Sequence, residues 1–508
     1  MMKLPHTLVL CLLAASAVDA QQPPAFTDPA RAEKVAATAH AVRQMFEAHA
    51  ERQHLPGLAW GVVLDGRLLY AGSVGQANLD AAIPADQRSL FRIASMSKSF
   101  TALAILQLRD AGKLSLDDPA SNYIPEMKHL TLLTTDAPVI TIRHLLTHSA
   151  GFPEDNPWGD RQLADSDQEL RALLAGGVSF SNVPGVAYEY SNLGFALLGQ
   201  IVQVVSGVDY QDYTRTHIFD PLGMTSTVWE YERAPAERLA LGYDWVDGAW
   251  VSIPLEHHGS FGAMGGLITS IDDFAKYVAL HLSAWPPRSN ADDGPLRRSS
   301  LREMHQPWRF AALMPDFRYP NGRTCPSATA YAYGLRWMRD CDGTVTIGHS
   351  GGLPGFGSNW TMMPEYGLAV MSFDNRTYGG TSTLNLAVLD TILVLAGLEP
   401  RQLAPSEILQ QRTKELVALF PDWKGAERSG LFAENFFLDN RVQDLVARTT
   451  SLYTEAGTIL GVSELVPQNQ LRGTFTIRGE RADIRVFFTL TPEKVPLIQQ
   501  VTMVRVPH

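Results

Sequence analysis

Cysteine is nearly missing from this chain: Cys11, Cys325 and Cys341 are the whole complement in 508 residues. That excludes a fold stapled by many disulfides and a four-thiolate zinc site. An excess of positive charge is missing too. The 42 Lys and Arg against 53 Asp and Glu give a formal net charge of −11, without the basic surface that nucleic acid or an anionic membrane requires. Long apolar runs are also lacking. The run from Leu8 to Ala17 is too short to span a bilayer, and no later segment is long and apolar enough to do so. Preceded by Lys3 and followed by Val18-Asp19-Ala20, it reads as an export signal over residues 1–20 that leaves no membrane anchor after cleavage. The mature chain is therefore expected to be periplasmic or secreted.

With Cys11 inside that leader, Cys325 and Cys341 remain. In an oxidising compartment they can pair, closing a loop of about 17 residues worth ~3 kcal/mol. Free thiols or a catalytic cysteine are the alternatives, but neither position carries a local catalytic signature. A disulfide is the reading.

The length calls for two folded units. Residues 21–397 read as the first, 398–405 with Pro400 and Pro405 as a linker, and 406–508 as a small α+β domain. Residues 21–30 read as loose, and Arg31 to Arg52 as one amphipathic helix. Asp65-Gly66 between two strand-like runs is a hairpin signal. Tyr331–Met338, Thr344–Gly348, Gly357–Met363 and Gly367–Phe373 read as strands, and the Pro-, Arg- and Asp-rich stretch 284–327 as irregular. Strands at both ends and helices between them predict a mixed α/β (α+β) fold. It has one antiparallel sheet flanked by helices, with an all-helical subdomain.

Three short elements carry chemistry. The first is Ser95-Met96-Ser97-Lys98, at the entrance of a helix apolar nearly all round. Serine and lysine three apart share one helix face. A lysine buried in a first turn opposes the helix dipole and loses its proton easily, so it can serve as a base. The second is Tyr190-Ser191-Asn192, at a loop-to-helix junction, and the third is His349-Ser350-Gly351-Gly352, after the strand Val345–Gly348. Tyr319-Pro320-Asn321 and His257-His258-Gly259 spell similar triplets but lack those contexts. His144 and His148, and His257 and His258, lack a metal-site motif. No metal or other cofactor is implied.

In this order the three elements resemble those of the serine hydrolases that share a fold with penicillin-binding proteins and class C β-lactamases: S-x-x-K, Y-x-N and K-T-G or H-x-G. The resemblance covers roughly residues 35–397. It extends to companion phrases such as Phe91-Arg92-Ile93-Ala94-Ser95, Pro221-Leu222-Gly223-Met224 and Gly348 to Gly355. It implies an acyl-enzyme on Ser95, with Lys98 or the Tyr190 phenolate as base and the shared proton assigned to the pair. Asn192 would fix geometry, and His349, Ser350, Gly351 and Gly352 would bind substrate. The N–H groups of Ser95 and Gly352 would be the oxyanion donors. His349 departs from the lysine usual in class C β-lactamases, which shifts the expectation toward peptides, amides or small esters of D-residues. Peptidoglycan fragments and β-lactams are the partner chemistries implied. A slow-turnover penicillin sensor and a metal-dependent hydrolase are the rivals.

Overall fold

The computed structural model describes residues 22–508; the leader reading and Cys11 lie outside them. The chain forms two compact units, Asp28–Pro400 and residues 22–27 together with Arg401–His508. Residues 22–27 belong with the second unit because Ala25 and Gln402 exchange backbone hydrogen bonds of 3.0 and 2.8 Å. Part of the stretch read as loose is thus tied down.

The larger unit is built on a nine-stranded antiparallel sheet. Its strands are β1 (Gly57–Leu64), β2 (Arg67–Asn78), β3 (Ile83–Pro84), β4 (Arg309–Met314), β5 (Ser327–Tyr331), β6 (Arg336–Asp340), β7 (Val345–Leu353), β8 (Phe356–Met363) and β9 (Leu368–Asp374). The spatial order is β3-β2-β1-β9-β8-β7-β6-β5-β4, so the two ends of the unit meet at β1 and β9. Every residue of β1 is buried, because both sheet faces are covered. Ala59 and Val63 point into one core, and Leu58, Trp60, Val62 and Leu64 into the other. The strand accordingly reads as a continuous apolar run.

Helices α1 (Ala39–Arg52) and α5 (Ser382–Ala396) cover the Trp60 face, where Phe46 stacks on Trp60 at 4.7 Å. On the other face α4 (Ile271–Ser283) packs against β1, β2 and β9, and the same core continues into α2 (Ser97–Asp110) and α3 (Asn192–Ser206), which pack on each other. Helix α2 is buried from Ser97 to Leu106, and α3 from Asn192 to Val202. That burial explains why neither shows a polar stripe in sequence. Among the described residues no single helix is long and apolar enough to cross a membrane.

Three local expectations are corrected. Arg31–Arg52 is two helices, Arg31–Ala36 and α1. The break falls at Thr38, whose hydroxyl donates to the Val35 carbonyl at 2.7 Å, a local bond that competes with the helix ladder. Tyr331–Met338 is not one strand but the β5–β6 hairpin, turned at Gly334 with φ +66°. The stretch 284–327 holds a helix, Arg298–Met304, and the edge strand β4. Phe310 and Leu313 on β4 are exposed, so it lacks the inward alternation that marks a strand in sequence.

The second unit folds the helices Glu407–Leu419 and Val442–Ala456 with a five-stranded sheet. Ile484, Val486, Phe488 and Leu490 supply its buried face. Cys325 and Cys341 are joined as a disulfide, with Cα atoms 5.6 Å apart.

Candidate active site

Ser95 sits in a tight turn, Ala94–Met96, at the entrance of α2. The preceding residue, Ala94, has φ +49°, a left-handed conformation that costs a non-glycine residue energy and must be held from outside. Three bonds hold it. Ser97 Oγ donates to the Ala94 carbonyl at 2.7 Å, Ser358 Oγ donates to the Ile93 carbonyl at 2.7 Å, and Ile93 N–H donates to Leu267 at 2.9 Å. Gly351 on β7 approaches this turn so closely that a Cβ would stand 2.2 Å from the Ile93 oxygen. Only glycine fits there, which gives the third sequence element a steric reason. Ser97 thus supports the turn.

Lys98 is fully buried. Its ammonium has three donors, and three oxygens receive them: Ser95 Oγ at 3.0 Å, Asn192 Oδ1 at 2.7 Å and the Met264 carbonyl at 2.8 Å. Burial lowers its pKa from 10.5 to about 7, against the pull of Asp160 and Asp155, while Arg336 pushes the same way as burial. The neutral amine, the form that can accept a proton, is therefore well populated at neutral pH.

Tyr190 completes the group. Its ring centroid lies 4.8 Å from Lys98 Nζ, with the Ser95 hydroxyl close to its phenol. Burial drives the phenol well above its ordinary range, only partly opposed by Ser95 and Arg336. The phenol thus holds its proton while the amine yields one. His148 packs beneath Tyr190 at 4.2 Å between centroids, and its Nδ1 accepts the Ser191 N–H at 3.0 Å.

The start of α3 is fixed by Asp155. Its carboxylate accepts from Asn192 N–H at 2.5 Å, Leu193 N–H at 2.9 Å and Ser191 Oγ at 3.2 Å. An acid at a helix N-terminus satisfies otherwise unpaired donors and suits the dipole. Here it also aims Asn192 at Lys98.

His349 stands 6.2 Å from the Tyr190 ring. Its Nδ1 faces the Ser350 carbonyl at 2.5 Å and its Nε2 the Tyr331 hydroxyl at 2.9 Å. Burial, aided by Arg336 and Lys98, holds its pKa well below the usual 6.5, so the ring is neutral. Beside this wall lies a cavity of about 500 Å³, lined in part by Tyr188, Tyr331, Arg336, His349 and Ser350. Gly352 lies under the Tyr378 ring, 2.3 Å from where a Cβ would be.

Sequence reasoning missed Arg336. Its guanidinium lies 5.6 Å from the Tyr190 ring centroid, and among the described residues no carboxylate pairs with it. It reaches the site because β6 pairs with β7, Arg336 opposite Gly348, a register that no motif announces. The Met264 carbonyl was equally invisible, since a backbone acceptor has no residue signature. Cys325 and Cys341 take no part in this cluster. Among the described residues Glu230, Glu232 and His257 can present three metal-ligand atoms together, whereas Cys325, Cys341 and Asp342 lie together with both sulfurs joined in the disulfide. Neither includes a residue of this site.

A family model described as Beta-lactamase matches residues 42–393. Protein flp of Staphylococcus aureus is 27% identical over 333 residues, 65% of this chain and 61% of that protein. This chain thus spans less than two thirds of that relative's length. The octameric penicillin-binding protein homologue from Pyrococcus abyssi superposes with TM-score 0.60 at 21% identity, covering 91% of this chain and 100% of that one. A D-stereospecific amidohydrolase from Streptomyces sp. does so with TM-score 0.53 at 23% identity, over 69% and 97%. Since the matched segment takes in most of the sequence and every residue around Ser95, the chain belongs to the beta-lactamase family, whose members are serine hydrolases.

Proposed function

We propose that this protein hydrolyses short peptides, amides or small esters of D-residues through an acyl-enzyme on Ser95. The observation that carries this reading is the Lys98 amine, buried, near-neutral and 3.0 Å from Ser95 Oγ. In the first step Lys98 takes the Ser95 proton while Oγ attacks the acyl carbonyl. The oxyanion forms at the Ser95 and Gly352 N–H groups. The Tyr190 phenol then gives its proton to the leaving group and recovers one from Lys98. Water repeats the sequence in reverse and frees Ser95.

Arg336 supports a substrate with a carboxylate on the leaving-group side, because its unpaired guanidinium stands beside Tyr190, the proton donor to that group. The same cation supports a second reading, acylation by a β-lactam, since it supplies the positive charge that neutral His349 does not. The Streptomyces neighbour is named for D-stereospecific amide hydrolysis and the Pyrococcus neighbour as a penicillin-binding homologue. Export is part of this reading, supported by the leader-like residues 1–20 and by the pairing of Cys325 with Cys341.

The test is a panel of D-Ala-D-Ala peptides, D-amino-acid amides, p-nitrophenyl esters, a chromogenic cephalosporin and a fluorescent penicillin, run on wild type and Ser95→Ala. Turnover of D-residue substrates by wild type alone is expected. A penicillin adduct that persists on Ser95 without turnover of any substrate favours the sensor reading. A panel that does not distinguish the two proteins contradicts both.

A further inference from the structure

One buried acid beside the catalytic cluster has no task in the steps above. Asp160 follows the short helix Asn156–Gly159, and only 2% of it is exposed. Gly159 just before it is pressed on Asn192, where an added Cβ would stand 2.7 Å from the Asn192 Cβ. The loop is thereby fixed against the residue that receives Lys98. From the opposite wall Tyr378 donates its hydroxyl to Asp160 Oδ2 at 2.7 Å, while its ring covers Gly352. Asp160 thus lies between Asn192 and the Gly352 end of β7.

That place corresponds to one side of the scissile bond. The leaving group must lie by Tyr190, which protonates it, and Arg336 packs on the same ring. The acyl substituent then extends the other way, toward Asn192, Asp160 and Tyr378.

The second carboxylate oxygen, Oδ1, is buried and has no hydrogen-bond partner among the described residues. Buried polar atoms are nearly always satisfied, and an ionised oxygen left unpaired beside a reaction centre points to a ligand that pairs with it. Asp155, five residues earlier, shows the contrast, because both of its oxygens are occupied. Burial raises the Asp160 pKa to about 6, with Tyr378 and Lys98 opposing. The group is therefore mostly ionised at pH 7 and can receive a cation.

We propose that Asp160 binds a free α-ammonium on the acyl side of the substrate, so that the enzyme removes or releases an N-terminal D-residue and rejects N-acylated chains. This rests on the hydrolase reading above. An ammonium offers a donor to Oδ1 while Tyr378 keeps Oδ2. Arg336 and Asp160 then place opposite charges at the two ends of the site, matching a short peptide with both termini free. A D-amino-acid amide would use the Asp160 end alone. An N-acetyl group would leave Oδ1 buried against a neutral amide, the kind of mismatch that gives large discrimination.

The experiment compares D-alanine p-nitroanilide with N-acetyl-D-alanine p-nitroanilide on wild type, Asp160→Asn and Ser95→Ala. Wild type is expected to prefer the free amine by about 30-fold or more in kcat/KM. Asp160→Asn should cut that preference at least ~10-fold, chiefly through a higher KM for the amine substrate. Equal use of the two substrates by wild type, preference for the acetylated one, or an unchanged ratio in Asp160→Asn would overturn the proposal. The wild-type ratio decides the matter even where the variant does not fold. If wild type and Ser95→Ala cannot be told apart on either substrate, the hydrolase reading falls and this inference with it. Turnover of both substrates at equal rates sinks the inference alone.

Discussion

Lys98→Met should lose about 10⁴-fold or more in kcat/KM and yet melt higher than wild type at pH 7. The loss follows because the general base, the bond to Ser95 and the source of the Tyr190 proton vanish together. The gain follows from linkage. A lysine whose pKa falls from 10.5 to about 7 on folding binds more protons when unfolded than when folded between those values. It therefore destabilises the fold fully below pH 7, and the penalty fades as pH rises toward 10.5. At ~1.4 kcal/mol per tenfold this amounts to roughly 4–5 kcal/mol at pH 7. Methionine removes that penalty but leaves the Asn192 and Met264 oxygens without their donor, at about 1 kcal/mol each. A net gain of a few kcal/mol remains, a trade of stability for activity. Thermal melts at pH 7 and pH 9.5 check it: the variant should lead at pH 7, and the gap should narrow at pH 9.5. A variant less stable than wild type at pH 7 would contradict the assignment of a near-neutral buried amine.

Ser95→Ala is expected to reduce turnover by at least ~10⁴-fold while leaving stability within about 1 kcal/mol of wild type. The two effects separate because of how the turn is held. Its strained Ala94 is secured by Ser97, Ser358 and Leu267, none of which needs the Ser95 hydroxyl. That hydroxyl meets Lys98 and Tyr190 instead. Paired measurements of kcat/KM and melting temperature check this. A large fall in both would mean that Ser95 is part of the scaffold, and retained activity would mean that another nucleophile does the work.

Much of this site was legible because its chemistry depends on spacing along the chain. Ser95 and Lys98 are one helical turn apart, and the apolar residues around them announce burial before any coordinates exist. Gly351 was legible as a motif, though its reason, contact with Ile93, needed the β7 approach to the turn. Arg336, Asp160 and Tyr378 were not legible. Each enters the site from a different loop or strand, and only the β6–β7 register and the packing of Gly159 on Asn192 bring them in. The fold followed the same division. The two-sided burial of β1 shows as an unbroken apolar run, whereas the β5–β6 turn at Gly334 hides inside one. There the carbonyl of Lys98 would meet a Cβ at 2.6 Å, so the break in the strand serves the packing of the catalytic helix. Strand β4 escaped because an exposed edge carries little alternation.

The central claim is that a neutral Lys98 activates Ser95. The most direct measurement follows acylation of the protein by p-nitrophenyl acetate with intact-protein mass spectrometry, between pH 5 and pH 9, with peptide mapping of the adduct. One acetyl group on Ser95 is expected, forming about tenfold faster per pH unit until about pH 7 and levelling above it, as the amine loses its proton. An adduct on any other residue, or a rate on Ser95 that does not change between pH 5 and pH 8, would contradict the account.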